Sequence, residues 1–138
     1  MISSKNLLIV DGYNILNNWG LVIRSINFEA ARDDLGDILA DYAGYKEIDI
    51  ILVFDAHRSD DFGSEIEQGR LLTVYTKHNE TADSRIEGII KEKTKKYKNV
   101  YVATADYTLQ LFVLGEGALR ITPNELKASV ELLRGRSI

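Results

Sequence analysis

Acidic residues follow the ends of several apolar runs in this chain. They are Asp11, Asp55, Glu80, Asp83 and Asp106. If the apolar runs are parallel strands, their carboxyl ends meet at one edge of a sheet, which is where ligands bind in open α/β sheets. Carboxylates crowded at such an edge repel one another unless a cation joins them. Because the candidate ligands are all oxygen atoms, the pattern predicts one or two Mg²⁺ or Mn²⁺ ions.

Each of these residues also has an interpretation in local backbone structure. Asp55 could anchor its own loop through an Asx turn, and Asp83 could lie in the first turn of a helix, where the dipole favours negative charge. The remaining candidates for simple helix caps are Asp11, Asn14, Thr81 and Asp106. Both interpretations stay open for each residue alone, but capping does not require all the acids to share one edge of a sheet.

Residues beside the carboxylates could contact a substrate. After Asp11, the backbone of Gly12 could approach a ligand, and Asn14 offers a carboxamide to phosphate oxygens. Tyr13 and Trp19 could stack on a base, or they could simply pack in the core or at its rim. The basic candidates for phosphate contact are Arg58, Arg85, Lys91 and Lys95. The lysines belong to a cluster over residues 91–98 that could equally be a solvated helix end.

Composition excludes several classes of protein. The 138 residues carry a net charge of −4, with 45% hydrophobic and 28% charged residues, as expected for one globular domain over residues 1–138. The absence of cysteine excludes disulfides, thiolate catalysis and Cys-ligated metals. No apolar run approaches the roughly 20 residues of a membrane span, so we expect a cytoplasmic protein with no membrane partner.

The elements that must position these residues alternate between strands and helices. The predicted strands are Leu7 to Val10, Ile48 to Phe54, Leu71 to Tyr75, Val100 to Ala103 and Ala118 to Ile121. The predicted helices are Phe28 to Tyr42, Ile86 to Tyr97, Tyr107 to Leu114 and Glu125 to Leu133. This alternation predicts an α/β fold with a central parallel sheet and helices on both faces. The segment Ala56 to Arg70 is predicted to be a mobile loop.

Four ordered motifs resemble one known family. They are DGYN, VFDAH, YTKHNETADSRIE and VATADYTLQ, the last followed by GEGALR. Together they are similar to the YacP-like branch of the NYN domain family, which belongs to the PIN-like nucleases. The resemblance implies a three-layer PIN-like fold in which the five predicted strands are ordered 3-2-1-4-5.

The resemblance also implies a function and a set of site residues. The function is metal-dependent endonucleolytic cleavage of RNA, with Asp11, Glu80, Asp83 and Asp106 as metal-binding and catalytic residues. Asn14 lies beside them, and we expect Asp55 and Thr104 to support the ligands from behind. We expect a single-stranded or flexible RNA, because in-line attack requires a distorted backbone. Which RNA is cut, and whether this occurs only within a ribonucleoprotein such as the ribosome, is left open.

The sequence departs from the family pattern at two places. Ala105 replaces the usual serine before Asp106, and Leu109 stands where an acidic residue usually precedes Gln110. The family also commonly continues into a charged C-terminal helix, so we expect that this extension is missing or truncated here. Two alternatives follow from the residues: a receiver-like phosphoacceptor domain, for which Asp11 and Asp55 would supply an acidic pocket, and a catalytically weak RNA-binding module.

Overall fold

A six-stranded sheet organises the protein. The computed structural model describes residues 5–58 and 61–138, except for the side chain of Arg58. The strands are β1 (Asn6–Asp11), β2 (Asp49–Phe54), β3 (Glu65–Gln68), β4 (Leu71–Tyr75), β5 (Asn99–Ala103) and β6 (Leu119–Ile121). The helices are α1 (Gly12–Asn18), α2 (Leu21–Arg24), α3 (Phe28–Lys46), α4 (Ala82–Lys93), α5 (Tyr107–Gly115) and α6 (Pro123–Arg134), with a 3₁₀ turn at Ala56–Arg58.

The order of the strands across the sheet is β3-β4-β2-β1-β5-β6. All neighbours pair in parallel except β3 and β4, which are antiparallel. The five strands expected from the sequence therefore lie in the expected order, and the α/β prediction is confirmed. The order differs from the expectation only in the additional strand β3 at one edge.

Strand β3 corrects the expectation of a mobile loop over Ala56 to Arg70. Its four residues are all exposed and three of them are polar, so the segment lacks the apolar run typical of a buried strand. Gly69, whose φ is 61°, makes the reversal into β4 that pairs Gln68 with Leu71. A hairpin on a solvated edge of the sheet depends on this turn and on backbone pairing rather than on apolar side chains.

Helices cover the sheet on both faces, which explains the continuous apolar strands. On one face, α1, α2, α3 and α6 bury a core with alternate residues of the central strands, such as Leu8 and Val10. On the other, α4 and α5 pack against the intervening residues, such as Leu7 and Ile9. Strands buried on both sides have no polar alternation. Among the described residues, no helix is long and apolar enough to span a membrane.

Helix α4 ends earlier than its apolar pattern predicts. The backbone amides of both Lys96 and Tyr97 donate to the carbonyl of Lys93, the last residue of α4. These bonds form a turn, and the helix does not continue. The Tyr97 hydroxyl then donates to Oδ2 of Asp49, the first residue of β2, at 2.7 Å. This long-range contact draws Tyr97 toward the amino-terminal edge of the sheet. Lys95, Lys96 and Lys98 therefore lie beyond the helix and not in its last turns.

Candidate nuclease site

Asp11 is the most buried of the predicted acidic residues. It is the last residue of the central strand β1, and 8% of its surface is exposed. Burial raises its pKa from 3.8 to about 6; a hydrogen bond from Thr104 opposes this shift, and the charges of Asp83 and Asp106 add to it. The ionised form of this carboxylate is therefore destabilised by its surroundings, which a bound cation would reverse.

Thr104 connects two of the acidic residues. Thr104 is fully buried, and its hydroxyl donates to Oδ2 of Asp11 at 3.0 Å. The hydroxyl oxygen of Thr104 also accepts from the backbone amide of Asp106 at 3.0 Å. The ends of the adjacent strands β1 and β5 are thereby fixed to each other beyond their last backbone pair. A supporting role of Thr104 toward metal ligands stays a prediction.

Asp83 brings a third carboxylate to this group. It lies in the first turn of α4, and burial raises its pKa, with further contributions from the charges of Asp106 and Glu87. The charges of Asp83 and Asp106 raise the pKa of Asp11, and the charge of Asp106 raises the pKa of Asp83. We call these three residues the acidic cluster.

Asp106 and Thr81 are helix caps, as their alternative interpretation predicts, but Asp11 is not. Asp106 caps α5, because its Oδ1 accepts from the amide of Leu109 at 3.0 Å. Thr81 caps α4 by accepting from the amide of Ser84 at 3.1 Å. Asp11 precedes α1 but makes no capping hydrogen bond, and its side chain turns to Thr104 instead. Helix capping therefore does not account for the burial of the Asp11 carboxylate.

The segment after Asp11 is held by packing and by a contact across the site. Oδ1 of Asn14 accepts from the amide of Ala105 at 2.9 Å, which connects α1 to the loop before Asp106. Gly12 is buried, and a Cβ built there would lie 2.4 Å from the Phe54 ring and 2.7 Å from the carbonyl oxygen of Val53. The structure thus gives Gly12 a packing role, and its contact with substrate stays a prediction.

The two aromatic residues considered for base stacking differ in their environment. Trp19 is 3% exposed, and its indole Nε1 donates to the carbonyl of Pro123 at 2.9 Å, so it belongs to the core. Tyr13 is half-buried between Phe28 and Phe54, with ring centroids 5.9 and 5.1 Å away. Its hydroxyl accepts from Nη1 of Arg32 at 3.1 Å. Tyr13 is therefore packed at the rim, next to the acidic cluster in sequence.

Arg32 is a residue that the sequence analysis missed. It is 8% exposed and belongs to α3. Its position in the sequence could have revealed its burial. One helix face is formed by residues at the spacing of Phe28, Arg32, Leu35 and Leu39, and that face packs on the sheet. A charged residue on a buried helix face calls for an explanation, because arginine is rarely buried without a partner.

Glu80 and Arg85 are paired with each other rather than with the acidic cluster. Oε1 of Glu80 accepts from the amide of Lys77 at 3.2 Å, and its Oε2 lies 3.9 Å from Nη1 of Arg85. Nη2 of Arg85 also lies 3.4 Å from Oε2 of Glu65 in β3. Glu80 is not among the charges that shift the pKa of Asp11. Its expected role as a ligand, and contact of Arg85 with substrate, stay predictions.

Asp55 has the local role that its alternative interpretation gives it. Its Oδ1 accepts from the backbone amide of His57 at 2.9 Å and lies 2.6 Å from Nδ1 of the same residue. His57 and His78, which the sequence places at the surface, are both exposed, and His78 stacks on Phe62 at a centroid distance of 3.8 Å. A supporting role of Asp55 toward the metal ligands is untested by these contacts.

The predicted basic residues lie apart from the acidic cluster or outside the described side chains. Lys91 lies with its Nζ 5.7 Å from the centre of the Phe112 ring, and Lys96 pairs with Glu92 at 3.3 Å. Lys95 follows the end of α4, at the amino-terminal edge of the sheet, opposite Asp83 along the helix. The Arg58 side chain lies outside the described part of the structure. Contact of these residues with RNA stays a prediction.

The donor chemistry of the acidic cluster suits a hard divalent cation. All its donors are carboxylate oxygens, and the pKa values of Asp11 and Asp83 are raised, in part by like charges that a cation would neutralise. Over residues 5–58 and 61–138, however, no three acidic or histidine side chains are already arranged around a common metal position. Mg²⁺ usually retains several waters and takes few protein ligands, so a fully formed cage is not required.

Known proteins resemble this chain in sequence and in fold. Residues 8–137 match the profile of the YacP-like NYN domain. The uncharacterized protein YacP of Bacillus subtilis is 38% identical over 133 residues, which cover 95% of this chain and 78% of that protein. The crystal structure of Rae1 (YacP) from Bacillus subtilis and that of its W164L mutant both superpose with a TM-score of 0.80 at 37% identity, covering 94% of this chain and 75% and 77% of theirs.

Proposed function

Because the chain belongs to the YacP-like NYN domain family, a family of PIN-like nuclease domains, we propose that it cleaves RNA endonucleolytically with the help of Mg²⁺ or Mn²⁺. The observation that carries the proposal is the Thr104 hydroxyl, which joins Asp11 to the backbone of Asp106. Family membership leaves the receiver-like alternative without support.

The acidic cluster is the proposed metal-binding group, with Glu80 as a further candidate ligand. A bound divalent cation would supply Lewis-acid activation of water and stabilise the negative charge of the transition state. The role of the protein is then to hold its oxygen donors in place. Thr104 fixes the orientation of one Asp11 oxygen, and Asn14 fixes the loop that carries Asp106. Burial of Asp11 disfavours its ionised form in the absence of a cation and so strengthens its attraction to one.

The proposed substrate is a single-stranded or flexible RNA. A phosphodiester must lie with its attacking and leaving oxygens in line, which a free strand permits more readily than a rigid duplex. Cleavage by an activated water also accounts for a site in which no Ser-His-Asp or Cys-His arrangement was found in the sequence. The protein contributes positioning and electrostatics rather than a covalent nucleophile.

Incubation of the protein with an internally labelled RNA tests the proposed function. We expect internal cuts in the presence of Mn²⁺ or Mg²⁺ and none in the presence of a chelator, because the proposed mechanism requires a bound cation to lower the pKa of the attacking water. Fragments are resolved by gel electrophoresis, and addition of excess metal to the chelated sample serves as the control. RNA that is bound but remains intact with metal present would contradict the proposal and favour the RNA-binding module.

The Asp106 position separates catalysis from helix capping. Asparagine at a cap position accepts the same backbone hydrogen bond as aspartate, whereas alanine loses it at a cost of about 1 kcal/mol. We expect Asp106→Asn to retain the stability of the parent and lose cleavage, while Asp106→Ala loses both. Thermal unfolding and the cleavage assay measure the two effects. An Asp106→Asn protein that cuts RNA at the parent rate would show that this residue is only a cap.

A further inference from the structure

Arg32 is a buried cation that forms no ion pair with the acidic side chains the structure describes. Its Nη1 donates to the Tyr13 hydroxyl at 3.1 Å, and Tyr75 lines the same cavity as Arg32. Its Nε is buried and has no hydrogen-bond partner among the described residues. No acidic side chain in the described ranges forms an ion pair with it. The neutral hydroxyl of Tyr13 satisfies part of its hydrogen-bonding capacity and none of its charge.

A cavity of about 280 Å³ lies beside this guanidinium. It lies between α3 and the β2–β4–β3 side of the sheet, and Arg32 is part of its wall. Phe54 and Tyr75, the last residues of β2 and β4, contribute stacked rings 5.6 Å apart. The cavity therefore reaches the carboxyl edge of the sheet, where the acidic cluster also lies.

Tyr13 connects the cavity to the acidic cluster. It follows Asp11 by two residues, contacts the Phe54 ring and accepts the hydrogen bond from Arg32. A strand of RNA that leaves the acidic cluster on the α4 and α5 face would pass this residue before it reached the cavity on the α3 face.

We propose that this cavity binds one nucleotide of the RNA substrate adjacent to the cleaved bond, with its phosphate on Arg32. The proposal rests on the proposed function and extends it to a subsite. Arginine suits phosphate because its planar donors match phosphate oxygens and its charge is always present.

The acidic residues of the same wall suit the rest of a nucleotide. Asp33 and Asp37 also line the cavity, and Asp37 accepts from Nε2 of Gln68 at 2.9 Å. Carboxylates repel phosphate but accept hydrogen bonds from ribose hydroxyls and from the amino groups of bases. A nucleotide has an anionic phosphate for Arg32 and hydrogen-bond donors for the two carboxylates. Inorganic phosphate would contact only Arg32.

Kinetics of RNA cleavage by the Arg32→Gln variant provide the first test. We expect KM for a single-stranded RNA to rise about tenfold with kcat nearly unchanged, because the lost contact binds ground state and transition state alike. Inorganic phosphate should raise the melting temperature of the parent but not of the variant, and this readout does not require cleavage. A structural role of Arg32 would lower the melting temperature and leave KM and the phosphate effect unchanged, which would overturn the proposal.

A second variant fills the cavity without touching Arg32. Gly36 lies in α3, lines the cavity, and has only Oε1 of Gln68 near a built Cβ, at 3.7 Å. Gly36→Leu should raise KM as Arg32→Gln does, and Gly36→Ala, which adds one methyl group, is the matched control. Circular dichroism confirms folding of each. If Gly36→Leu cuts RNA with the KM of the parent, the cavity is not a subsite. If no variant or parent cuts RNA, the proposed function fails, and the phosphate-dependent melting shift alone decides whether Arg32 binds phosphate.

Discussion

Replacing Asp11 with Asn is expected to abolish RNA cleavage and, in chelator, to make the protein more stable at neutral pH. The substitution preserves volume and retains an oxygen that can accept from Thr104, but it removes a charge that is 8% exposed. Cleavage is lost because an amide is a poor ligand for a hard cation. Stability rises because a buried charge, repelled by Asp83 and Asp106, is no longer present.

The pH dependence of this gain follows from the direction of the pKa shift. The pKa of Asp11 is raised from 3.8 to about 6 in the folded protein, so the parent is relatively stabilised below pH 4 and loses that contribution as the pH rises through 6. A shift of about two units corresponds to on the order of 2–3 kcal/mol. The Asn variant should therefore match the parent near pH 4 and exceed it by several degrees in melting temperature above pH 6.

Thermal unfolding in chelator between pH 4 and pH 8 measures the difference. Addition of Mn²⁺ at pH 8 should raise the melting temperature of the parent, through binding to the folded state, and should affect the Asn variant less. A variant that is less stable than the parent at pH 8 in chelator would mean that the ionised Asp11 carboxylate does not destabilise the folded protein. If Mn²⁺ raises the melting temperature of the two proteins equally, Asp11 does not bind the metal.

Replacing Gly12 with Ala is expected to destabilise the protein by about 3 kcal/mol or more. The added Cβ would lie 2.4 Å from two carbons of the Phe54 ring and 2.7 Å from the carbonyl oxygen of Val53. Phe54 is 1% exposed and packed between Tyr13 and Tyr75, so its ring cannot shift without loss of these aromatic contacts. The carbonyl belongs to β2, which pairs with β1 and β4, and cannot move without disturbing the sheet.

Thermal or urea unfolding provides the measurement, with Gly44→Ala as the matched control. Gly44 is an exposed residue of α3 with no atom within 4 Å of a built Cβ, so alanine there should stabilise by about 0.5–1 kcal/mol through helix propensity. Opposite effects of the same methyl group at the two positions would assign the requirement for Gly12 to packing. Similar effects at both would show that the Phe54 ring and the β2 backbone can shift to make room.

The sequence predicts most of the fold because burial on two faces leaves a strong signal. β1 and β2 read as continuous apolar runs for that reason, whereas β3 has no buried residue and was taken for a loop. The end of α4 was missed because a contact between Tyr97 and Asp49, 48 residues apart, decides where the chain turns. Periodicity reports on neighbours along the chain and carries no information about such a partner.

The sequence predicts which acidic residues come together at the candidate site, but not the side-chain contacts that hold them. Asp11 and Asp106 follow strands whose ends are recognisable, so their convergence follows from the direction of the strands. The link between them through Thr104 is a side-chain contact that no spacing reveals. Arg32 was overlooked because a charged residue within a helix is usually exposed, and only its place on the apolar face distinguishes it.

The hydrogen bond between Thr104 and Asp11 joins residues that are 93 positions apart. Its formation requires that β5 dock beside β1, a pairing of high contact order whose loop-closure entropy must be overcome first. No short fragment of the polypeptide can assemble the acidic cluster by itself. During synthesis, the first strand must leave the exit tunnel long before its partner does, so the acidic cluster assembles only after β5 has been made and not when the sheet begins to form.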